Sequence, residues 1–298
     1  MVDFDIIKIH MKVIEAIIRE TPTISFEFFP PKTVEQEAHL FEVLAELEKF
    51  KPDFASVTCG ALGSNADKTI FWAKEIKKKF GIEPVAHLTC VSASREAMKK
   101  QLDELEKVGV SNVLALRGDP PIGETKFVPS KNGFSHACEL VAFIKEQKPR
   151  FCVGVAGYPE GHIEAACLED DIKHLKMKVE VGADYVITQL FFNNEDFFRF
   201  RDDCSEAGIR VPIIPGIMPI TSLKQVKKMT QMCGAIIPQD LLNKLEQADG
   251  DKTAVIEIGV EHALFQAREL ITRGVHGLHF FVMNQSGPIS KVFGQLEI

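Results

Sequence analysis

Eight apolar runs alternate with amphipathic stretches along this 298-residue chain, and six of the runs end in a residue able to do chemistry; together they predict the α/β class, as a (β/α)8 TIM barrel. A third observation agrees. Glycine stands just past a helical pattern and just before a strand at Gly81, Gly109, Gly182, Gly208 and Gly274, where a left-handed residue closes each helix. Strands buried on both faces read as continuous apolar runs, and only their C-terminal ends reach a ligand.

The first 20 residues interleave charges with Ile6, Val13, Ile14 and Ile17 at helical spacing, so they are expected to form an amphipathic N-terminal helical extension and not a signal peptide. Strands are expected at 24–28, 54–58, 84–89, 112–116, 151–156, 184–190, 212–217 and 277–282. The intervening segments are rich in Lys, Glu and Leu. Thr33 with Gln36 has capping-box spacing and starts the first barrel helix, while 217–277 has room for two or three helices. No linker or change of composition divides the chain, so residues 1–298 are read as one catalytic domain.

Hydrophobic residues make up 45% of the chain, enough for a large core, and no stretch approaches the length needed to span a bilayer. The net charge of −7 and pI near 5.8 argue against nucleic acid or an anionic membrane as partner. A cytoplasmic protein acting on small molecules is expected. Seven scattered cysteines, never arranged as CxxC, disfavour a disulfide framework and a zinc site, and the histidines lack metal spacing.

Alternation along 24–28 places Ser25 and Glu27 toward the barrel axis if Phe26 and Phe28 face the helices. A carboxyl among phenylalanines is poorly solvated, which would raise its pKa toward a range useful for proton donation; a structural pairing with Arg or Lys is the competing reading. Arg117-Gly118-Asp119 brings opposite charges to one rim, either for a ligand or as an ion pair with each other. Tyr158 and His162 leave the fifth strand beside two glycines, suited to a flat cofactor or simply to a turn. Asp171, His174 and Lys178 fall on one helical stripe able to meet a ribose and a phosphate, though such stripes are commonly solvated faces. Gln189 offers donor and acceptor to a heterocycle edge. Neither a GxGxxG nor a P-loop pattern occurs at the expected places.

The ordered series Ser25-Phe-Glu-Phe-Phe-Pro-Pro-Lys32, Val57-Thr-Cys-Gly60, Ala86-His-Leu-Thr-Cys90, Leu114-Ala-Leu-Arg-Gly-Asp119, Tyr158-Pro-Glu160, Ile187-Thr-Gln189 and Ile214-Pro-Gly-Ile217 resembles the methylenetetrahydrofolate reductase family over nearly the whole chain. The resemblance is to the short bacterial type, with the catalytic barrel only. It implies an FAD enzyme reducing 5,10-methylenetetrahydrofolate to 5-methyltetrahydrofolate with NADH or NADPH by ping-pong hydride transfer. Glu27 matches the general acid and Asp119 a carboxylate beside pterin and flavin. Thr58, Cys59, Ala61, His87, Arg117, Gly118, Asp119, Ala137, Tyr158, His162, Asp171, His174 and Lys178 match positions lining FAD, and Gln189, Gln225, Met229 and Gln285 positions meeting folate or nicotinamide.

Four positions depart from the family pattern. Cys59 stands where Tyr is common, and His174 where Asn is expected. Met229 falls near a usual aromatic residue, and Gln285 where an Arg can meet the folate tail. A homo-oligomer is expected, and a partner electron-transfer subunit is compatible with the sequence. A flavin-poor or partner-dependent relative, or a non-redox folate-binding barrel, are the competing functions.

Overall fold

The computed structural model describes residues 12–59, 66–91, 93–119 and 127–297. Its eight strands are β1 (Thr23–Phe28), β2 (Phe54–Val57), β3 (Glu83–Thr89), β4 (Asn112–Leu116), β5 (Cys152–Gly157), β6 (Tyr185–Leu190), β7 (Ile213–Ile217) and β8 (Gly277–Phe281). Each pairs in parallel with the next, and β8 pairs with β1 to close the barrel. All eight expected strands are therefore present in the expected order. Around them lie α2 (Val34–Glu48), α3 (Ala66–Phe80), α4 (Arg95–Lys107), α5 (Ala137–Gln147), α6 (Leu168–Glu180) and α7 (Asn194–Glu206). The longer last connection holds α8 (Leu223–Cys233), α9 (Gln239–Gln247) and α10 (Lys252–Thr272), and α11 (Ser286–Phe293) follows β8.

Local signals explain the boundaries. The five junction glycines have φ between +68° and +114°, the left-handed range that glycine adopts without steric cost. Thr33 caps α2 by accepting from Gln36 N, and Gln36 Oε1 accepts in turn from Lys32 N at 2.8 Å. Phe26 and Phe28 point outward into the layer under the helices, with Phe26 edge-on to Phe293 of α11 at 5.6 Å. Ser25 and Glu27 consequently face the barrel axis.

The N-terminal helix is shorter than the sequence suggests: α1 runs from Val13 to Ile17, and residues 1–11, including Ile6, lie outside the described residues. Val13 and Ile17 plug the N-terminal end of the barrel against Phe54, Val85, Leu114, Tyr185, Ile187 and Ile214. Val13 N donates to Asn112 Oδ1 at 2.9 Å, and Asn112 Nδ2 donates to Glu83 Oε1 at 3.0 Å. Among the described residues that end is stoppered, and the cavities into which the strand ends point lie at the C-terminal mouth. Among the described residues, no helix is long and apolar enough to cross a membrane.

Candidate active site

The strand ends converge on a cavity of about 420 Å³ at the C-terminal mouth, where barrel enzymes bind ligands. Glu27 forms its floor with His87; Thr58, Cys59, Arg117, Gly118, Asp119, Tyr158, His162 and Gln189 rise around it, and Met229 of α8 closes one side. A second cavity of about 350 Å³ reaches outward toward α5 and α6 and is lined by Ala137, Asp171, His174 and Lys178. Arg117, Tyr158 and His162 line both, so the two form adjoining lobes of one elongated cleft.

Thirteen positions were expected to line a cofactor, and twelve of them stand on this cleft; Ala61 lies outside the described residues. Gln189 and Met229 also border it. Gln225 and Gln285 do not, because they line a separate hollow with Ser222, Asp249 and Lys252.

The surroundings of Glu27 correct one expectation. The groups that meet its carboxylate are polar, because Phe26 and Phe28 point outward, although Phe29 and Phe281 also border the cavity. His87 Nε2 stands 3.4 Å and His279 Nε2 3.5 Å from Glu27 Oε2, and Ser56 Oγ donates to the same oxygen at 3.4 Å. Burial raises the carboxyl pKa, but these partners outweigh it and hold the group below its usual range. Burial likewise holds the His87 imidazole below its ordinary pKa, against the attraction of Glu27.

Arg117 does not pair principally with Asp119. Its guanidinium forks onto both carboxylate oxygens of Glu164, with Nη2 donating to Oε1 at 2.9 Å, and this raises its pKa. Asp119 is left exposed on the rim. Tyr158 and His162 meet edge-to-face at 4.7 Å, and His162 Nδ1 accepts from Glu164 N at 3.1 Å. Gly118 has φ +83°, and a Cβ there would sit 2.8 Å from Val91 Cγ2, so the backbone itself forms the wall.

The α6 stripe is only partly solvated, with His174 exposed, Lys178 half-buried and Asp171 buried. Asp171 is buried and accepts from His162 N at 3.2 Å, and burial raises its pKa. Lys178 donates to the Ala156 carbonyl at 2.6 Å, and burial pulls its pKa down to about 8 against the attraction of Asp171. Gln189 commits its oxygen to Leu190 N at 2.8 Å, which leaves its amide NH2 as the free end.

Two participants escape a linear reading. Glu164 joins the site from 47 residues beyond Arg117. His279 faces Ser25 across the β1/β8 pair, and the alternation of Leu278, His279 and Phe280 along β8 was the signal that would have placed it on the axis.

Glu160 carries a further perturbation. Its Oε1 accepts from Ile236 N at 2.9 Å, while Oε2 is buried without a partner, and burial pushes the carboxyl up to about 7. The folded state then keeps a proton that the unfolded chain, with a value near 4.5, has lost, so this group makes stability fall as pH rises from about 4.5 to about 7. Glu160→Gln should flatten that slope and melt higher than the parent at pH 8. Thermal melts at pH 5 and 8 check this, and an unchanged slope would contradict it.

Comparison with known proteins bears on the same residues. The family model for Methylenetetrahydrofolate reductase matches residues 12–297. The 5,10-methylenetetrahydrofolate reductase of Salmonella typhimurium is 39% identical over 263 residues, covering 88% of this chain and 86% of the relative. Methylenetetrahydrofolate reductase (NADH) 1 of Arabidopsis thaliana is 38% identical over 288 residues, covering 92% of this chain; the chain spans about half the length of that relative, 49%. A solved structure of an uncharacterized protein from Clostridium thermocellum that binds two copies of 5-methyl-5,6,7,8-tetrahydrofolic acid superposes with a TM-score of 0.66. It is 18% identical, with 94% of this chain and 95% of that one covered, a likeness of fold. A closed barrel with a buried carboxylate at its mouth, matched along almost its whole length by one family, leads to one conclusion: the chain belongs to the methylenetetrahydrofolate reductase family.

Proposed function

We propose that the protein reduces 5,10-methylenetetrahydrofolate to 5-methyltetrahydrofolate, using NADH or NADPH and bound FAD. The observation that carries this reading is the continuity of the cleft: the lobe floored by Glu27 runs beneath Arg117 into the lobe that ends at Lys178. The residues present suit FAD. A backbone wall at Gly118 admits a close approach by a flat ring system, Tyr158 and His162 offer aromatic surface, and Arg117 and Lys178 supply cations for a diphosphate. Buried Asp171 is placed for a ribose hydroxyl.

FAD when bound supplies a two-electron carrier between the nicotinamide and the folate. The protein does the rest. Glu27 delivers a proton to the folate amine nitrogen as the imidazolidine ring opens. Asp119, on the rim, offers negative charge to the iminium cation so formed. The amide of Gln189 orients a heterocycle edge. Because both substrates would occupy the same mouth in turn, ping-pong kinetics follow, and parallel lines in double-reciprocal plots test the scheme. Nicotinamide oxidation that ignores methylenetetrahydrofolate would favour a folate-binding barrel without this reaction.

Lys178 gives the reading a pH signature. Below about 8 its ammonium is already charged and binds a phosphate-bearing cofactor without proton uptake; above about 8 binding must first protonate it. FAD affinity should therefore be level from pH 6.5 to 7.5 and decline above about 8, and Lys178→Met should weaken binding and remove the decline. Equilibrium titration by flavin fluorescence reads both, and an undiminished pH dependence in the variant would exclude this role.

A further inference from the structure

The chain leaves β8 through a turn whose backbone suits one of its two central residues and not the other. Among the described residues, four non-glycine positions have positive φ, and only Met283 and Asn284 are adjacent, each at φ +53°. Gln285 N donates to the Val282 carbonyl oxygen at 3.0 Å, so Val282–Gln285 is a tight turn with both central residues left-handed. Pairs such as Asn-Gly favour this geometry. Asparagine tolerates it, whereas methionine is long, apolar and without a local hydrogen bond to offset the crowding of its Cβ. A residue persists in such a conformation where its surroundings over-determine it.

Asn284 supplies the restraint. Phe29 N donates to Asn284 Oδ1 at 3.0 Å, and Asn284 Nδ2 donates to the Phe29 carbonyl oxygen at 2.9 Å. The register of β1 with β8 ends at Glu27 and Phe281, so the carboxamide adds a two-bond bridge just beyond the sheet. Pro30 and Pro31 follow without N–H groups, which leaves the Phe29 amide as the last backbone donor before Lys32. From α2, His39 Nε2 lies 3.1 Å from the Asn284 carbonyl oxygen; a carbonyl only accepts, so the ring nitrogen donates. The bridge presents two side chains, Phe29 and Met283, and both line the cavity floored by Glu27. Phe29 is 39% exposed there, aromatic surface that a bound ring system would cover.

We infer that Asn284 is a positioning residue: by clasping Phe29 it holds Met283 in the left-handed turn, and the two side chains grip the flat, apolar body of the substrate from the β1/β8 side of the mouth. The identity of that substrate rests on the proposed folate chemistry, and the clasp does not. A grip made equally in the ground state and the transition state sets KM and leaves kcat alone. The same turn carries Gln285, the next residue, to the separate hollow.

Asn284→Gly isolates the clasp, because glycine keeps the left-handed turn and loses only the carboxamide. Methionine-methyl 13C NMR without folate or nicotinamide should show the Met283 signal, identified by its absence from Met283→Gly, shifted in Asn284→Gly, while that of Met98, buried on α4, stays in place. Titration of the flavin-loaded protein with 5-methyltetrahydrofolate should show affinity weakened about 10-fold in Asn284→Gly, the worth of a small apolar contact. KM for methylenetetrahydrofolate should rise in step, with kcat unchanged. Met283→Gly and Met283→Ala should lose affinity alike, yet the glycine variant should melt higher, since it alone takes φ +53° freely. An unmoved Met283 signal overturns the clasp. Unchanged affinity in Asn284→Gly, or a fall in kcat without a rise in KM, overturns the positioning role. If the NMR and melting results hold in a protein that binds no folate, the assigned substrate fails and the clasp stands.

Discussion

Glu27→Gln should slow folate-dependent reoxidation of the reduced enzyme by about 10²- to 10⁴-fold, the range of a lost general acid, while NADH or NADPH still reduces it at close to the parent rate. Gln keeps the size of the side chain and its capacity to meet His87 and His279, but it has no acidic proton to give. The effect is therefore confined to the half-reaction in which the folate ring opens. Anaerobic stopped-flow absorbance separates the two halves. Equal slowing of both would mean that Glu27 shapes the cavity, and normal reoxidation would mean that another group is the acid.

The second large effect is on stability. Gly259 lies within α10 against the start of the long connection, and a Cβ there would fall 2.0 Å from Ile220 O and within 2.8 Å of Ile220 C and N. Backbone atoms cannot rotate away as a side chain can. Gly259→Ala should thus cost about 3 kcal/mol, at the upper end of overpacking penalties. Ile220 leads into α8, whose Met229 borders the cavity, so activity should fall with stability. Gly287 of α11 offers open space, with nothing within 4 Å of where a Cβ would sit, and Gly287→Ala should change stability by about 0.5 kcal/mol or less. Denaturant midpoints of the two variants test the contrast, and similar midpoints would contradict it.

The barrel was legible because its signals are local. Apolar runs buried on both faces, and glycines whose left-handed conformation ends the helices, need no knowledge of distant contacts. The inward direction of Ser25 and Glu27 followed from strand alternation for the same reason. The electrostatics of Glu27 were not legible. Counting phenylalanines next to it in sequence suggested an apolar pocket, whereas alternation sends those rings outward and closure of the barrel brings His87 and His279 to the carboxylate. Closure acts across a separation of 252 residues between Glu27 and His279, and no local pattern encodes it. Arg117 makes the same point: Asp119 is near in sequence, but the loop after β5 delivers Glu164 in a better geometry for a two-pronged pair. Gln225 and Gln285 show the limit of matching positions along a chain, since their loops turn them into a neighbouring hollow.

One anaerobic experiment tests the central claim most directly. The visible spectrum of the purified protein, supplied with FAD, is followed on adding NADH or NADPH and then methylenetetrahydrofolate. The expected result is a flavin band that bleaches with the nicotinamide and returns with the folate, with 5-methyltetrahydrofolate as product. A protein that binds no flavin, or whose bleached band does not return with the folate, would contradict it.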